Sequence, residues 1–161
     1  MVKIIPLESK HLEELRKWRN DKNIWKYFTN SRFINEIEQE DWFKTQARDK
    51  AKEYFVVLEK DKFVGSVWFD EWDKINGGCR VGVFIIPPAQ RKGFAYKVLK
   101  QFINYLFDNL RLHRVWLLVM KDNKPAIKLY EKLGFKKEGV QKDAIFRNGK
   151  YINYLMMGVL K

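Results

Sequence analysis

At 161 residues the chain fits one domain spanning 1–161 and can bury one sizeable core, while 46% hydrophobic and 16% aromatic content excludes the composition of a disordered chain. A formal charge of +12 asks for an anionic partner: nucleic acid, an acidic protein or a polyphosphorylated cofactor. Lys and Arg are spread among Glu and Asp with no basic tail and no nucleic-acid motif, which argues against nucleic acid and for a solvated basic surface or a phosphorylated small ligand.

The first residues, Met1 through Glu8, lack the apolar stretch of a signal peptide, and no run reaches membrane-spanning length. A cytoplasmic protein without a membrane partner is expected. Cys79 is the only cysteine, so no intramolecular disulfide can form; with only His11 and His113 beside it, no metal-ligand spacing exists and no metal is expected. Beside Gly77 and Gly78, Cys79 reads as a packing residue rather than a nucleophile.

Residues 2–7 alternate as a first strand. Glu8-Ser9-Lys10-His11 starts a helix, with Ser9 as N-cap ahead of Leu12 and Leu15, and Trp18-Arg19-Asn20-Asp21 ends it. Residues 23–28 read as a further helical turn, broken at Thr29-Asn30-Ser31. A second helix is expected over 36–47 with Trp42 and Phe43 inward. Glu36, Glu38, Glu40 and Asp41 around its start satisfy the helix dipole; a sharper reading makes them the negative wall of an amine pocket. Residues 53–59 and 62–69 are strands joined at Lys60-Asp61. The acidic loop expected after them, Asp70-Glu71-Trp72-Asp73, offers candidates for a general base. Asn76-Gly77-Gly78 then turns the chain into a strand over 80–86, completing an antiparallel meander.

Pro87 and Pro88 cannot donate ladder hydrogen bonds and end that strand, and the amphipathic run 95–107 is a helix. Between them lies the turn Gln90-Arg91-Lys92-Gly93-Phe94-Ala95. A helix start leaves its first N–H groups unpaired and carries partial positive charge, so a turn with Gly93 at the close-approach position and small Ala95 can hold a pyrophosphate. Plain strand-to-helix geometry is the alternative for such a turn taken alone. Residues 114–120 form an almost wholly apolar strand, as one covered on both faces should be. A helix over 126–133 stops at Gly134, a natural C-cap; Phe135 leads into strand-like residues, and 144–147 and 150–159 flank the hairpin signal Asn148-Gly149.

The pattern Q-x-x-G-x-A at 90–95, between an apolar strand and a helix, resembles the acetyl-CoA pyrophosphate loop of the GNAT acetyltransferases. The stretch from Asn123 to Phe135 looks like the second hallmark of that family, N-x-x-A-x-x-L-Y-x-x-x-G-F. Both occur in order, separated by a helix and a strand. The resemblance covers most of the chain and is strongest over 80–139. Leu112-His113-Arg114-Val115 and Arg147-Asn148-Gly149-Lys150-Tyr151 look most like the branch of ribosomal-protein N-terminal acetyltransferases and spermidine acetyltransferases, whereas Trp18-Arg19-Asn20-Asp21 with Trp42-Phe43 is similar to amino-sugar acetyltransferases.

What the resemblance implies is an α/β (α+β) fold, a mixed and mostly antiparallel central sheet with helices on both faces. It implies acetyl-CoA as cosubstrate and direct transfer to a primary amine: a protein N-terminus, a polyamine or an amino sugar. A homo-oligomer is compatible with it. The alternative class is a module of this fold that binds CoA or nucleic acid without catalysis. By position, the resemblance assigns the pantetheine arm to the backbone of Val83, Phe84 and Ile85, and the pyrophosphate to Gln90, Arg91, Lys92, Gly93, Phe94, Ala95 and Tyr96. Asn123 would stand near the thioester, with Lys124, Ala126 and Lys128 beside it, and Tyr130 would protonate the leaving thiolate. Cys79-Arg80-Val81-Gly82-Val83 offers no carboxylate where many relatives carry Glu, so proton removal is expected to pass through water to Glu71, Asp70 or Glu38, Glu71 being preferred, unless the amine arrives already deprotonated.

Overall fold

The computed structural model describes residues 2–30 and 32–161; the expected break at 29–31 therefore falls partly on Ser31, outside the described residues. In chain order the elements are β1 (Val2–Pro6), a 3-10 turn (Ser9–His11), α1 (Leu12–Arg19), α2 (Lys22–Trp25), α3 (Glu36–Arg48), β2 (Glu53–Glu59), β3 (Lys62–Asp73) and β4 (Gly78–Ile85). A second 3-10 turn (Pro87–Ala89) leads to α4 (Phe94–Asp108), β5 (Arg114–Met120), α5 (Lys124–Lys132), β6 (Lys136–Arg147) and β7 (Lys150–Leu160). The strands form one sheet in the order β1-β2-β3-β4-β5-β7-β6, antiparallel throughout except for β4 beside β5. This is the mixed, mostly antiparallel sheet expected.

Tight hairpins set the register at both ends. Lys60 and Asp61 (φ 48° and 59°) and Asn148 and Gly149 (φ 50° and 79°) each place two successive residues in the left-handed region, whose twist matches that of the strands they join. Tyr54 and Phe55 are consecutive in β2 and so point to opposite faces. Tyr54 meets Trp42 of α3 edge-on at 4.8 Å, and Phe55 meets Phe102 of α4 at 5.3 Å, so α3 and α4 cover opposite faces of the sheet. Val98, Leu99, Phe102, Ile103 and Leu106 recur at helical spacing and bury α4 against Phe69, Val115, Leu117 and Met157. Among the described residues no helix is long and apolar enough to cross a membrane.

Three local expectations are corrected. The first helical segment is capped by Glu8, not Ser9: the Glu8 N–H donates to His11 Nδ1 at 3.0 Å, the arm of a capping box that reaches back from the third position to the cap. Burial, helped by Lys10, lowers the His11 pKa and favours the neutral ring this bond requires. The second turn is shorter than 23–28: α2 ends at Trp25, and bonds from Tyr27 N–H and Phe28 N–H continue it only as turns. Residues 70–73 are strand, not loop. Asp70 pairs with Arg80 and Asp73 with Gly78, around an irregularity where Glu71 takes φ 52°.

Candidate active site

The parallel pair at the centre of the sheet is short. β4 follows β3 as far as Ile85 opposite Gly65, but it pairs with β5 only at Gly78–Arg114, Cys79–Val115 and Arg80–Trp116. Past Trp116, β5 is paired with β7 alone. The two central strands therefore part company after Arg80, and residues 81–85 turn an unpaired edge toward the opening. Alternate main-chain N–H and C=O groups of that edge, in the stretch holding Val83, Phe84 and Ile85, are available to an extended amide-bearing chain.

At the wide end of the opening β4 hands over to α4. Gln90 Nε2 donates to Ile85 O at 2.8 Å and Lys92 Nζ to Pro88 O at 2.8 Å, so both side chains brace the turn from within. Arg91 (φ 61°) and Gly93 (φ 78°) curl the main chain. The first helical bond runs from Lys97 N–H to Gly93 O at 3.2 Å, which leaves the N–H groups of Phe94, Ala95 and Tyr96 without a helical acceptor. A Cβ built on Gly93 would meet nothing within 4 Å. The concavity is thus open in front of the donors, bordered by exposed Arg91, and suits a pyrophosphate.

On the other side of the opening, β5 ends at Met120 and α5 begins. Asn123 is its N-cap, Oδ1 accepting from the Ala126 N–H at 3.3 Å, so part of this side chain is committed to the helix. Lys124 and Lys128 are exposed, and Ala126 is half-buried. Tyr130 packs against Phe135 at 5.8 Å between ring centroids. Desolvation pushes its hydroxyl up to about 12, so it keeps its proton at neutral pH.

A charged cluster sits where β4 last touches both neighbours. Arg80 Nε donates to Asp70 Oδ1 at 2.7 Å and its Nη2 to Asp70 Oδ2 at 2.8 Å, while Nη1 lies 3.2 Å from Glu71 Oε1. The guanidinium stands 5.8 Å from the Trp116 ring. Glu71 keeps half of its side chain in solvent; Asp70 is mostly covered. Burial, and the Asp70 charge after it, push the Tyr54 hydroxyl and the Cys79 thiol each up to about 12. Cys79 is fully buried, as a packing residue should be. Sequence reasoning missed the Asp70–Arg80 pair; its signal was an acid and a base placed to meet across a meander.

Of the acidic cluster on α3, Glu38 is occupied. Its carboxylate accepts from the Asn35 N–H at 3.1 Å and from Arg32 at 3.2 Å, completing a capping box with Asn35. Among the described residues no three His, Cys, Asp or Glu side chains gather as a metal site.

A family model described as Acetyltransferase (GNAT) domain matches residues 2–136. Spermidine N(1)-acetyltransferase of Vibrio cholerae is 31% identical over 156 residues, covering 96% of this chain and 90% of its own. Its namesake in Escherichia coli K12 is 29% identical over 160 residues, covering 99% and 86%. Acetyltransferase PseH of Campylobacter jejuni is 30% identical over 129 residues, covering 80% and 79%. The crystal structure of the Vibrio cholerae spermidine N-acetyltransferase in complex with CoA and spermine superposes with a TM-score of 0.95 at 29% identity, over 99% of this chain and 95% of that one.

Proposed function

The chain belongs to the GNAT acetyltransferase family and is an acetyl-CoA-dependent N-acetyltransferase; from that premise we propose that it acetylates the primary amine of a small molecule, with the roles below. One observation carries the assignment of roles. The unpaired edge of β4 leads without interruption into a turn whose N–H groups lack acceptors and whose glycine faces open space. The spermidine acetyltransferases among the relatives favour a small amine over a protein N-terminus and bring polyamines first to the assay.

In this reading the backbone of Val83, Phe84 and Ile85 aligns the pantetheine amides, and the N–H groups from Arg91 to Tyr96 hold the pyrophosphate with Arg91 and Lys92 adding charge. Gln90 braces that turn and Phe94 anchors it. Asn123 fixes the start of α5 near the thioester, with Lys124, Ala126 and Lys128 along the approach. An N–H of the β4 edge stabilises the oxygen that becomes negative when the amine attacks the thioester carbon.

Direct transfer forms one C–N bond and breaks one C–S bond. The ammonium, with an ordinary pKa of about 10.4, must first lose a proton; half-exposed Glu71 accepts it through water. Tyr130 donates its proton to the departing thiolate and regains one from solvent. No enzyme-bound acyl group is required.

Free-thiol release from acetyl-CoA in the presence of amines tests the reading. Spermidine or another small amine should give thiol in step with acetylated product. Thiol release that no amine accelerates, despite CoA binding, would make the chain a binding module instead.

A further inference from the structure

On the face of the sheet opposite α4, three side chains rise in a column from the free edge of β4. Gly82 is the base: a Cβ there would lie 2.1 Å from Trp68 Cζ2, so the indole rests directly on the β4 main chain. Phe28 stacks on Trp68 with ring centroids 5.9 Å apart and planes 16° from parallel, and the Arg19 guanidinium carbon sits 3.8 Å from the centre of the Phe28 ring. Tyr54 stacks on Trp68 as well, at 5.8 Å.

Arg19 lacks the carboxylate partner that several other arginines have. Arg80 is held by Asp70 and Glu71, Arg32 by Glu38, and Arg114 by Glu138. Among the described residues the Arg19 guanidinium has neither an ion-pair partner nor a hydrogen-bond acceptor, although burial is heavy enough to lower its pKa. A second guanidinium reaches the main chain of the same segment. Arg147, from the far end of β6, donates to the carbonyls of Phe28 and Thr29, while its buried Nε lacks an acceptor. Trp25 Nε1, one turn before Phe28, is also a buried donor with no acceptor.

Desolvating a cation without a counter-ion is costly, and buried N–H groups are normally satisfied. Here the Arg19 guanidinium lies unpaired over Phe28, Arg147 is bonded to the main chain of Phe28 and Thr29, and Arg147 Nε and Trp25 Nε1 each remain unsatisfied beside the cleft. The Asp70 carboxylate near this column is held by Arg80 through two bonds, and Glu71 lies 3.2 Å from the same guanidinium. We infer that the acceptor carries an anionic group, a phosphate or a carboxylate, besides its amine, and that Arg19, backed by Arg147, receives it over the Phe28–Trp68 column. Planar guanidinium groups suit that task, pairing with either anion through two parallel bonds. A bare polyamine would bring a third positive charge to the same place. The inference rests on the acetyltransferase reading and narrows its acceptor.

The test compares kcat/KM in the thiol-release assay for matched amines: glucosamine against glucosamine 6-phosphate, and hexylamine against 6-aminohexanoate, with spermidine as the cationic reference. At least one anionic member should exceed its uncharged match and spermidine by about tenfold or more, and the pair that responds identifies phosphate or carboxylate. Arg19→Gln should abolish that preference and Arg19→Lys keep part of it, with CoA affinity by calorimetry reporting that both variants are folded. No preference in either pair, a preference that survives Arg19→Gln, or spermidine ahead of every anionic amine would overturn the proposal. Calorimetry of glucosamine 6-phosphate and 6-aminohexanoate on the CoA-loaded protein reads the anion seat without turnover. Binding should weaken about tenfold in Arg19→Gln; no binding to the wild type, or equal binding to both, counts against the seat even if transfer to every amine fails and the acetyltransferase reading falls separately.

Discussion

Arg80 on β4 and Asp70 on β3 grip each other through two parallel hydrogen bonds of 2.7 and 2.8 Å, on the last rung before β4 separates from β5. The pair fixes the apex from which the cleft opens. Asp70→Asn leaves a half-buried guanidinium with only Glu71, whose own side chain is half in solvent. Stability from urea unfolding should fall by about 2 kcal/mol, the usual scale for a hydrogen bond to a charged group. A change within about 0.5 kcal/mol, the scatter of ordinary surface substitutions, would mean that the fork does not hold the apex.

Tyr130 is the proposed acid for the departing thiolate. Tyr130→Phe should lower kcat about 100-fold while CoA affinity stays unchanged. Its pH dependence has a definite sign. A tyrosine is active as an acid only while protonated, and one with an ordinary pKa of about 10 would impose an alkaline loss near that pH. Burial raises this hydroxyl to about 12, so wild-type kcat should show no decline from Tyr130 as pH passes through 10. A kcat equal in wild type and Tyr130→Phe, measured where chemistry limits the rate, contradicts the role.

Gly93 combines φ 78° with a Cβ position that faces no protein atom. A side chain there costs the fold only the left-handed backbone penalty, about 1–2 kcal/mol, but it enters the space proposed for phosphate oxygens. Gly93→Glu should therefore weaken CoA binding by far more than its modest effect on the unfolding midpoint would suggest. Unaltered CoA affinity by calorimetry would remove phosphate from the turn.

Gly82 is the opposite case, a glycine required by packing. Adding a methyl group would drive Trp68 off β4 and through it disturb Phe28 and Tyr54, both stacked on the indole. Gly82→Ala should cost about 1–3 kcal/mol, the range for an overfilled core, and quench or shift the indole fluorescence. A fully stable variant with unaltered emission would show that the ring is free to move.

Much of the architecture was legible because local chemistry decides it. The apolar run of β5 gave its bounds to the residue, Arg114 to Met120, and Asn148-Gly149 announced the last hairpin. The loop at 90–95 was legible for the same reason: prolines end a strand and a glycine opens a helix. Three features were not. Residues 70–73 look like a loop because they are polar, yet a residue with φ 52° lets β3 continue beyond its apolar part. Most of β6 is exposed and lacks alternation, so its pairing with β7 sets its length rather than any pattern of its own. The parting of β4 from β5 depends on contacts between residues more than thirty positions apart, and no periodicity records where such a pairing stops. Arg19 was read as part of a helix end; only the fold brings it to Phe28, where among the described residues no carboxylate pairs with it.

The central claim, that main-chain nitrogens in the turn between β4 and α4 hold a diphosphate bridge, is tested most directly by following backbone amide resonances of labelled protein during titration with CoA. The account predicts that the N–H signals of Lys92, Gly93, Phe94, Ala95 and Tyr96 move most and gain protection from exchange, and that pantetheine, which lacks the bridge, leaves them in place. Saturable CoA binding that shifts other amides while those five stay still would contradict it.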